Sequence, residues 1–235
     1  MIWDLNTRIF HLMLILTIIT SIISGKFSYF YIHEISGVTL FFLILFRIYW
    51  GFFGGHYSKF KNFNLNKNSL LNYFKSKNKI VFGHNPLGSL SIFSIFIIIL
   101  LTSVSGMFSS DDIFYDGPFV KFGPQLVGIF TNIHNILHYF LYILLILHLC
   151  AVSYYQFYLK EKIINQMIDG KSQDKNFVQK DDPSKKYGNG LLILILIFSG
   201  PSVFYYLTNI WSKIYTFNTE NSCTFIIIRC ISRYP

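Results

Sequence analysis

The sequence predicts an all-α membrane protein, a transmembrane bundle of four helices followed by a fifth apolar helix, and three observations carry that prediction. Of 235 residues, 52% are hydrophobic and only 13% are charged, with 26 Phe among them, far from the balance of a water-soluble domain. Apolar stretches close to the ~20 residues that a helix needs to cross hydrocarbon recur along the chain. The basic residues behind the net charge of +9 gather in the connections between those stretches, which speaks for membrane topology and against a nucleic-acid surface.

The first apolar segment runs from about Thr7 to Ser24. A cleaved leader would need a small-residue site after it, and Gly25-Lys26-Phe27-Ser28 offers none, so this segment is expected to remain as a helix. The second runs from Ile32 to about Trp50 and the third from Pro86 to Phe108. A fourth lies in the uncharged stretch between Lys121 and Lys160, long enough to project beyond a membrane. The fifth, over 190–212, contains Gly200 and Pro201 and is expected to kink there. The expected organisation is therefore a four-helix domain over 1–170, a basic linker over 171–189, the fifth helix over 190–212 and a tail over 213–235 to which no structure is assigned.

Orientation follows from where cations accumulate. The connection from Gly51 to Asn85 holds Lys59, Lys61, Lys67, Lys75, Lys77 and Lys79 without an acidic residue, and Lys160 to Lys186 holds seven lysines. The alternate connections hold Lys26 and Lys121, with Glu34, Asp111, Asp112 and Asp116 nearby. The N-terminus and both basic loops are thus expected on the cytoplasmic side. Cys150, Cys223 and Cys230 form neither a CxxC pair nor a C-x-x-C-H haem attachment signal, so covalent c-type haem and a thiolate metal site are not expected. Cys223 and Cys230 are read as either two free thiols or a pair formed in an oxidising compartment.

Histidine at membrane depth is costly and needs a reason. Of the seven, His56 and His84 fall in or beside the basic loop, and His11, His33, His134, His138 and His148 lie on the spans. His134 and His148 are 14 residues apart, which places them on one helix face within about 40° and roughly 21 Å apart along the axis. His138 sits near His134 but about 80° from His148 on the other side. With helices alternating in direction, His33 shares the outer level with His134, and His11 shares the cytoplasmic level with His148. Two imidazoles converging from facing helices at one depth are what a six-coordinate haem iron requires. The spacing therefore predicts two haem b groups, held by the pairs His11/His148 and His33/His134, that carry single electrons. The bland alternative is a bundle whose histidines only hydrogen-bond across helices. Arg8 and Arg47, at the cytoplasmic ends of their helices, are candidate partners for haem propionates or interfacial snorkelling residues. Gly37, four residues after His33, and Gly106 are candidate points of close approach by the macrocycle.

These residues resemble the bacterial cytochrome b561 and nickel-iron-hydrogenase cytochrome b family. Trp3-Asp4-Leu5-Asn6-Thr7-Arg8 with Phe10-His11 resembles its opening, and His33-Glu34, Gly37 and Phe46-Arg47-Ile48-Tyr49-Trp50-Gly51-Phe52 resemble its second helix. Gly83-His84-Asn85-Pro86-Leu87-Gly88 resembles the start of its third helix, and Ile133-His134 through Leu147-His148 its fourth. The resemblance implies a diheme four-helix core in the bacterial cytoplasmic membrane, with His11, His33, His134 and His148 as axial ligands of the two haem irons. It also implies electron exchange between the quinone pool and a redox partner such as a hydrogenase or a c-type cytochrome. Two positions depart from the family pattern: Asn135 stands where an acidic residue usually follows the histidine, and His138 adds an imidazole.

Three readings compete. The leading one is a diheme electron-transfer subunit, with His84 a candidate quinone or proton contact and the acidic outer loop of Asp111, Asp112 and Asp116 a candidate docking site for a basic partner. A self-contained superoxide:quinone oxidoreductase is the second; it would want positive charge at the outer surface, where only Lys26 and Lys121 stand. A haem-free transporter or assembly protein is the third, and it would favour internal repeats or paired broken helices, which the sequence does not display.

Overall fold

The computed structural model describes residues 4–55, 58–62, 86–111, 113, 115–170, 200–201, 203–205 and 207–208. Four long helices dominate: α1 (Leu5–Lys26), α2 (Phe30–Phe53), α3 (Pro86–Met107) and α4 (Val127–Ser153). A short α5 (Ile163–Asp169) follows a π-helical turn at Tyr154–Tyr158. Among the described residues there is no β-strand, only one isolated bridge between Ser110 and Asp116. All four long helices are apolar and long enough to cross a bilayer, and the last span is continuous over Pro124–Tyr158, 35 residues. At 1.5 Å per residue that is roughly 50 Å, longer than the ~30 Å hydrocarbon core, so the fourth span is long enough to project beyond a membrane.

The first two helices extend two to three residues beyond the sequence expectation at each end, and α3 matches it to within one residue. Asp4 caps α1, its Oδ1 accepting the Thr7 amide at 2.7 Å. Within the spans, hydroxyls find acceptors on their own helix: Thr17 on the Met13 carbonyl, Thr20 on Leu16, Thr39 on Ile35, Thr102 on Ile98 and Ser109 on Ser105. In hydrocarbon such back-bonding removes the need for water. A short turn through Ser28, whose φ of 58° is left-handed, reverses the chain from α1 into α2.

Packing is sequential, with α1 on α2, α2 on α3 and α3 on α4. The core takes a stripe of Phe10, Leu14 and Ile18 from α1, Leu40, Leu43, Ile44, Phe46 and Trp50 from α2, Ile95 and Ile99 from α3, and Leu141 from α4. The outward faces carry Leu12, Leu16, Ile19 and Ile23 on α1 and Ile129, Ile136, Phe140, Ile143 and Leu147 on α4. In water such a surface would be an interaction patch; on a spanning helix it is the lipid-facing side. Of the fifth apolar segment, the described residues within 200–208 have helical backbone. Phe204 there meets Phe42 of α2 at 6.4 Å and Phe119 of the α3–α4 connection at 5.3 Å. The linker over 171–189, the tail over 213–235 and Cys223 and Cys230 lie outside the described residues, while Cys150 is exposed and not in a disulfide.

One end of the bundle is closed by a buried polar cluster around Asp4. Its carboxylate accepts from Trp50 Nε1 at 3.1 Å and from Ser58 Oγ at 2.5 Å, besides the Thr7 amide. Thr7 Oγ1 and Ser58 Oγ are 2.7 Å apart. Asp4 thus joins the start of α1, the end of α2 and the connection beyond it. Replacing Asp4 by Ala removes the cap, worth about 1 kcal/mol, and orphans buried donors on Trp50 and Ser58, at about 1–3 kcal/mol. Asp4→Ala is therefore expected to destabilise the protein by about 2–4 kcal/mol, read as a lower unfolding temperature in detergent; an unchanged temperature would remove Asp4 as a structural hub.

Candidate haem-ligand site

The histidines on the spans divide into two levels because the helices alternate in direction. His33 opens α2 and His134 lies one to two turns into α4, both at the end away from Asp4. The two imidazoles face each other with ring centroids 6.1 Å apart and planes at 82°. An iron bonded to both rings through nitrogens about 2 Å away would hold the centroids roughly 6 Å apart, so the observed spacing fits a shared six-coordinate centre.

The remaining ring nitrogens are also accounted for. Nδ1 of His33 lies 2.8 Å from the Ser21 carbonyl on α1, and Nδ1 of His134 lies 3.0 Å from the Thr102 carbonyl on α3. A carbonyl oxygen only accepts, so in both rings Nδ1 carries the proton. Nε2 of each is then the lone-pair nitrogen that a metal needs, with its partner nitrogen oriented by an acceptor.

Gly37, one turn along α2 from His33, has nothing within 4 Å of the position a Cβ would take. The α2 backbone is uncovered there. Gly106 does something different from admitting a macrocycle: a Cβ on it would stand 3.0 Å from Cε1 of His134, so it makes room for the imidazole itself. His138 packs on Tyr139 and Tyr142, with centroids 4.0 and 5.4 Å away, and is close enough to His134 to interact with it electrostatically.

At the other level, His11 on α1 and His148 on α4 are partly buried and close enough to interact electrostatically. Leu141, buried on α4, sits midway in sequence between His134 and His148 and separates the levels with an apolar side chain. Arg8 donates through Nη1 to the Ile168 carbonyl at 2.6 Å, which ties α1 to α5, and its buried Nε has no hydrogen-bond partner among the described residues. That leftover donor, one turn before His11, suits an anionic group such as a propionate. Arg47 is 3% exposed. Its Nη2 donates to the Ser58 carbonyl at 3.1 Å, and its guanidinium lies 4.9 Å from the Phe60 ring centroid and 5.7 Å from that of Phe96. These contacts anchor it beside the Asp4 cluster. His56, His84 and Asp112 lie outside the described residues.

The sequence did not single out Ser21, Gly25 or Thr102, although all three touch the histidine pair. Their only signal is a small or hydroxylated residue in an apolar run, which membrane helices carry for many reasons.

A family model described as prokaryotic cytochrome b561 matches residues 2–170, the stretch on which the sequence resemblance rests. No curated protein and no solved structure matches the chain.

The acidic α3–α4 connection has a structural task of its own. Asp111 Oδ1 accepts the amides of Ile113 and Tyr115 at 3.2 and 2.6 Å, and Asp116 accepts from Ser110 Oγ at 2.6 Å. Asp111→Ala should release two bonds worth about 1 kcal/mol each and speed amide exchange of Ile113 and Tyr115 by roughly tenfold or more, with the spans unaffected; unchanged exchange would show that the turn holds without the carboxylate.

Proposed function

The chain belongs to the prokaryotic cytochrome b561 family, and from that membership we propose that it holds two haem b groups, one between His33 and His134 and one between His11 and His148, and relays electrons between quinone and a redox partner. As a member it is a multi-pass membrane b-type cytochrome of electron transfer. The observation that carries the finer reading is the His33/His134 pair, at 6.1 Å with both Nδ1 protons tied to carbonyls.

Each haem, when bound, supplies a one-electron couple at its iron. The chain's own residues do the rest. His33 with His134, and His11 with His148, would hold the two haems, and a pair of imidazole ligands would confine their chemistry to electron passage. Leu14, Ile18 and Leu141 keep water out between the levels, so little solvent reorganises when charge moves. Arg8, with its free Nε, would take a propionate at the His11 level; Arg47, already anchored beside Asp4, would neutralise charge nearby. The lysines of the basic connections support a cytoplasmic N-terminus and a cytoplasmic His11/His148 level in a bacterial inner membrane. The partner is a c-type cytochrome or a hydrogenase, met at the outer or the inner surface.

Haem quantitation with reduced-minus-oxidised spectra on detergent-purified protein tests this reading. Wild type and His138→Ala are expected to hold two haems per chain, and alanine at His11, His33, His134 or His148 to hold one or none. Gly37→Leu should lose the haem at the His33 level alone. Two haems retained in His33→Ala or His11→Ala would refute the ligand assignment. A quinol added to the oxidised protein should reduce both haems, and no reduction by any quinol would remove quinone from the reading.

A further inference from the structure

The two imidazoles of the His33/His134 pair are seated by the same local device, built once on α1 and once on α3. On α1 the Ser21 carbonyl accepts the Nδ1–H of His33 at 2.8 Å, and a Cβ on Gly25, four residues on, would lie 2.9 Å from that same nitrogen. On α3 the Thr102 carbonyl accepts the Nδ1–H of His134 at 3.0 Å, and a Cβ on Gly106, again four residues on, would lie 3.1 Å from Nδ1 and 3.0 Å from Cε1. A hydroxyl stands beside each nitrogen at the edge of bonding distance, Ser21 Oγ at 3.5 Å and Ser105 Oγ at 3.4 Å.

The spacing of four has a physical reason. In a helix the Cα–Cβ bond tilts toward the N-terminus, so the side chain at i+4 lies over the carbonyl of residue i on that face. That carbonyl already accepts the i+4 amide, and here also a hydroxyl three residues on, Ser24 Oγ at 3.1 Å on the Ser21 carbonyl and Ser105 Oγ at 3.0 Å on that of Thr102, so the imidazole shares it. A neighbouring helix reaches the carbonyl oxygen from the side where the residue at i+4 has no side chain.

We propose that Gly25 and Gly106 are positioning residues for the axial histidines: by leaving the Ser21 and Thr102 carbonyls uncovered, they fix the tautomer of each imidazole and set how strongly it donates to iron. This rests on His33 and His134 being ligands of one haem. A hydrogen bond at Nδ1 raises ligand basicity and stabilises the oxidised iron. Wedging a methyl group into either seat pushes the ring off its carbonyl, weakens that bond and raises the potential of this haem.

Potentiometric titration and low-temperature EPR of Gly25→Ala and Gly106→Ala, each loaded with haem, test this. The expected result is an upward shift in the midpoint potential of one haem and a changed low-spin signal for that haem, with the other unmoved. Gly128→Ala, on α4 where a Cβ would meet nothing within 4 Å, should leave both potentials in place. Ser21→Ala should do the same, because it keeps the Ser21 carbonyl. Potentials unmoved or lowered in the glycine variants, or moved equally by Ser21→Ala, would overturn the seats. Should a glycine variant fail to hold haem, pulsed EPR on wild type with ¹⁵N-labelled histidine decides: a slowly exchanging, hydrogen-bonded Nδ1 proton on both ligands supports the seats, and a freely exchanging one overturns them. The ligand assignment fails separately, through His33→Ala or His134→Ala keeping this haem.

Discussion

In hydrocarbon every polar nitrogen and oxygen must find a partner inside the protein, and that single constraint shapes each level of this molecule. It makes the spans helical, because only a helix satisfies its own backbone. It turns the hydroxyls of Thr17, Thr39 and Thr102 back onto their own carbonyls. At the histidines it has a functional consequence: each of the facing rings has one nitrogen settled on a carbonyl, so the other is the nitrogen that remains for a metal.

The two ends of the bundle meet the constraint differently. At the Asp4 end a charged carboxylate collects an amide, an indole N–H and a hydroxyl, and stitches α1, α2 and the connection beyond into one unit. At the His33 end the partners are neutral carbonyls, and the surroundings are aromatic, with Phe30 stacked on Tyr115 and Phe108 on Phe130. Neutral acceptors orient an imidazole without adding charge beside the proposed iron. A carboxylate there would donate more strongly to the ring and pull the potential lower. The absence of an acidic residue at Asn135 agrees with an orienting role taken over by backbone.

Much of this was legible in the residues. Apolar runs of spanning length located α1 to α4, and the family match covers the stretch where ordered motifs stood. The 14-residue interval between His134 and His148 put them on one face, and the facing of His33 and His134 agrees with the level assigned to them. Other features were not legible. Gly106 looked like a place for the macrocycle and proved to be a place for the imidazole, because a glycine tells only that something comes close. Arg47 read as either a propionate partner or a snorkelling residue, and its contacts with the Ser58 carbonyl and the Phe60 and Phe96 rings come from how the helix ends pack.

The sequence by itself determined the elements, because the number of apolar residues and the helical rise are properties of each segment alone. It determined which histidines share a level, because position along a helix is arithmetic. Only the tertiary structure decided which atoms hold those histidines. The Ser21 and Thr102 carbonyls, and the glycines that uncover them, belong to helices other than the ones that carry the rings. A backbone carbonyl has no letter in the sequence, and its availability depends on how closely a neighbouring helix packs.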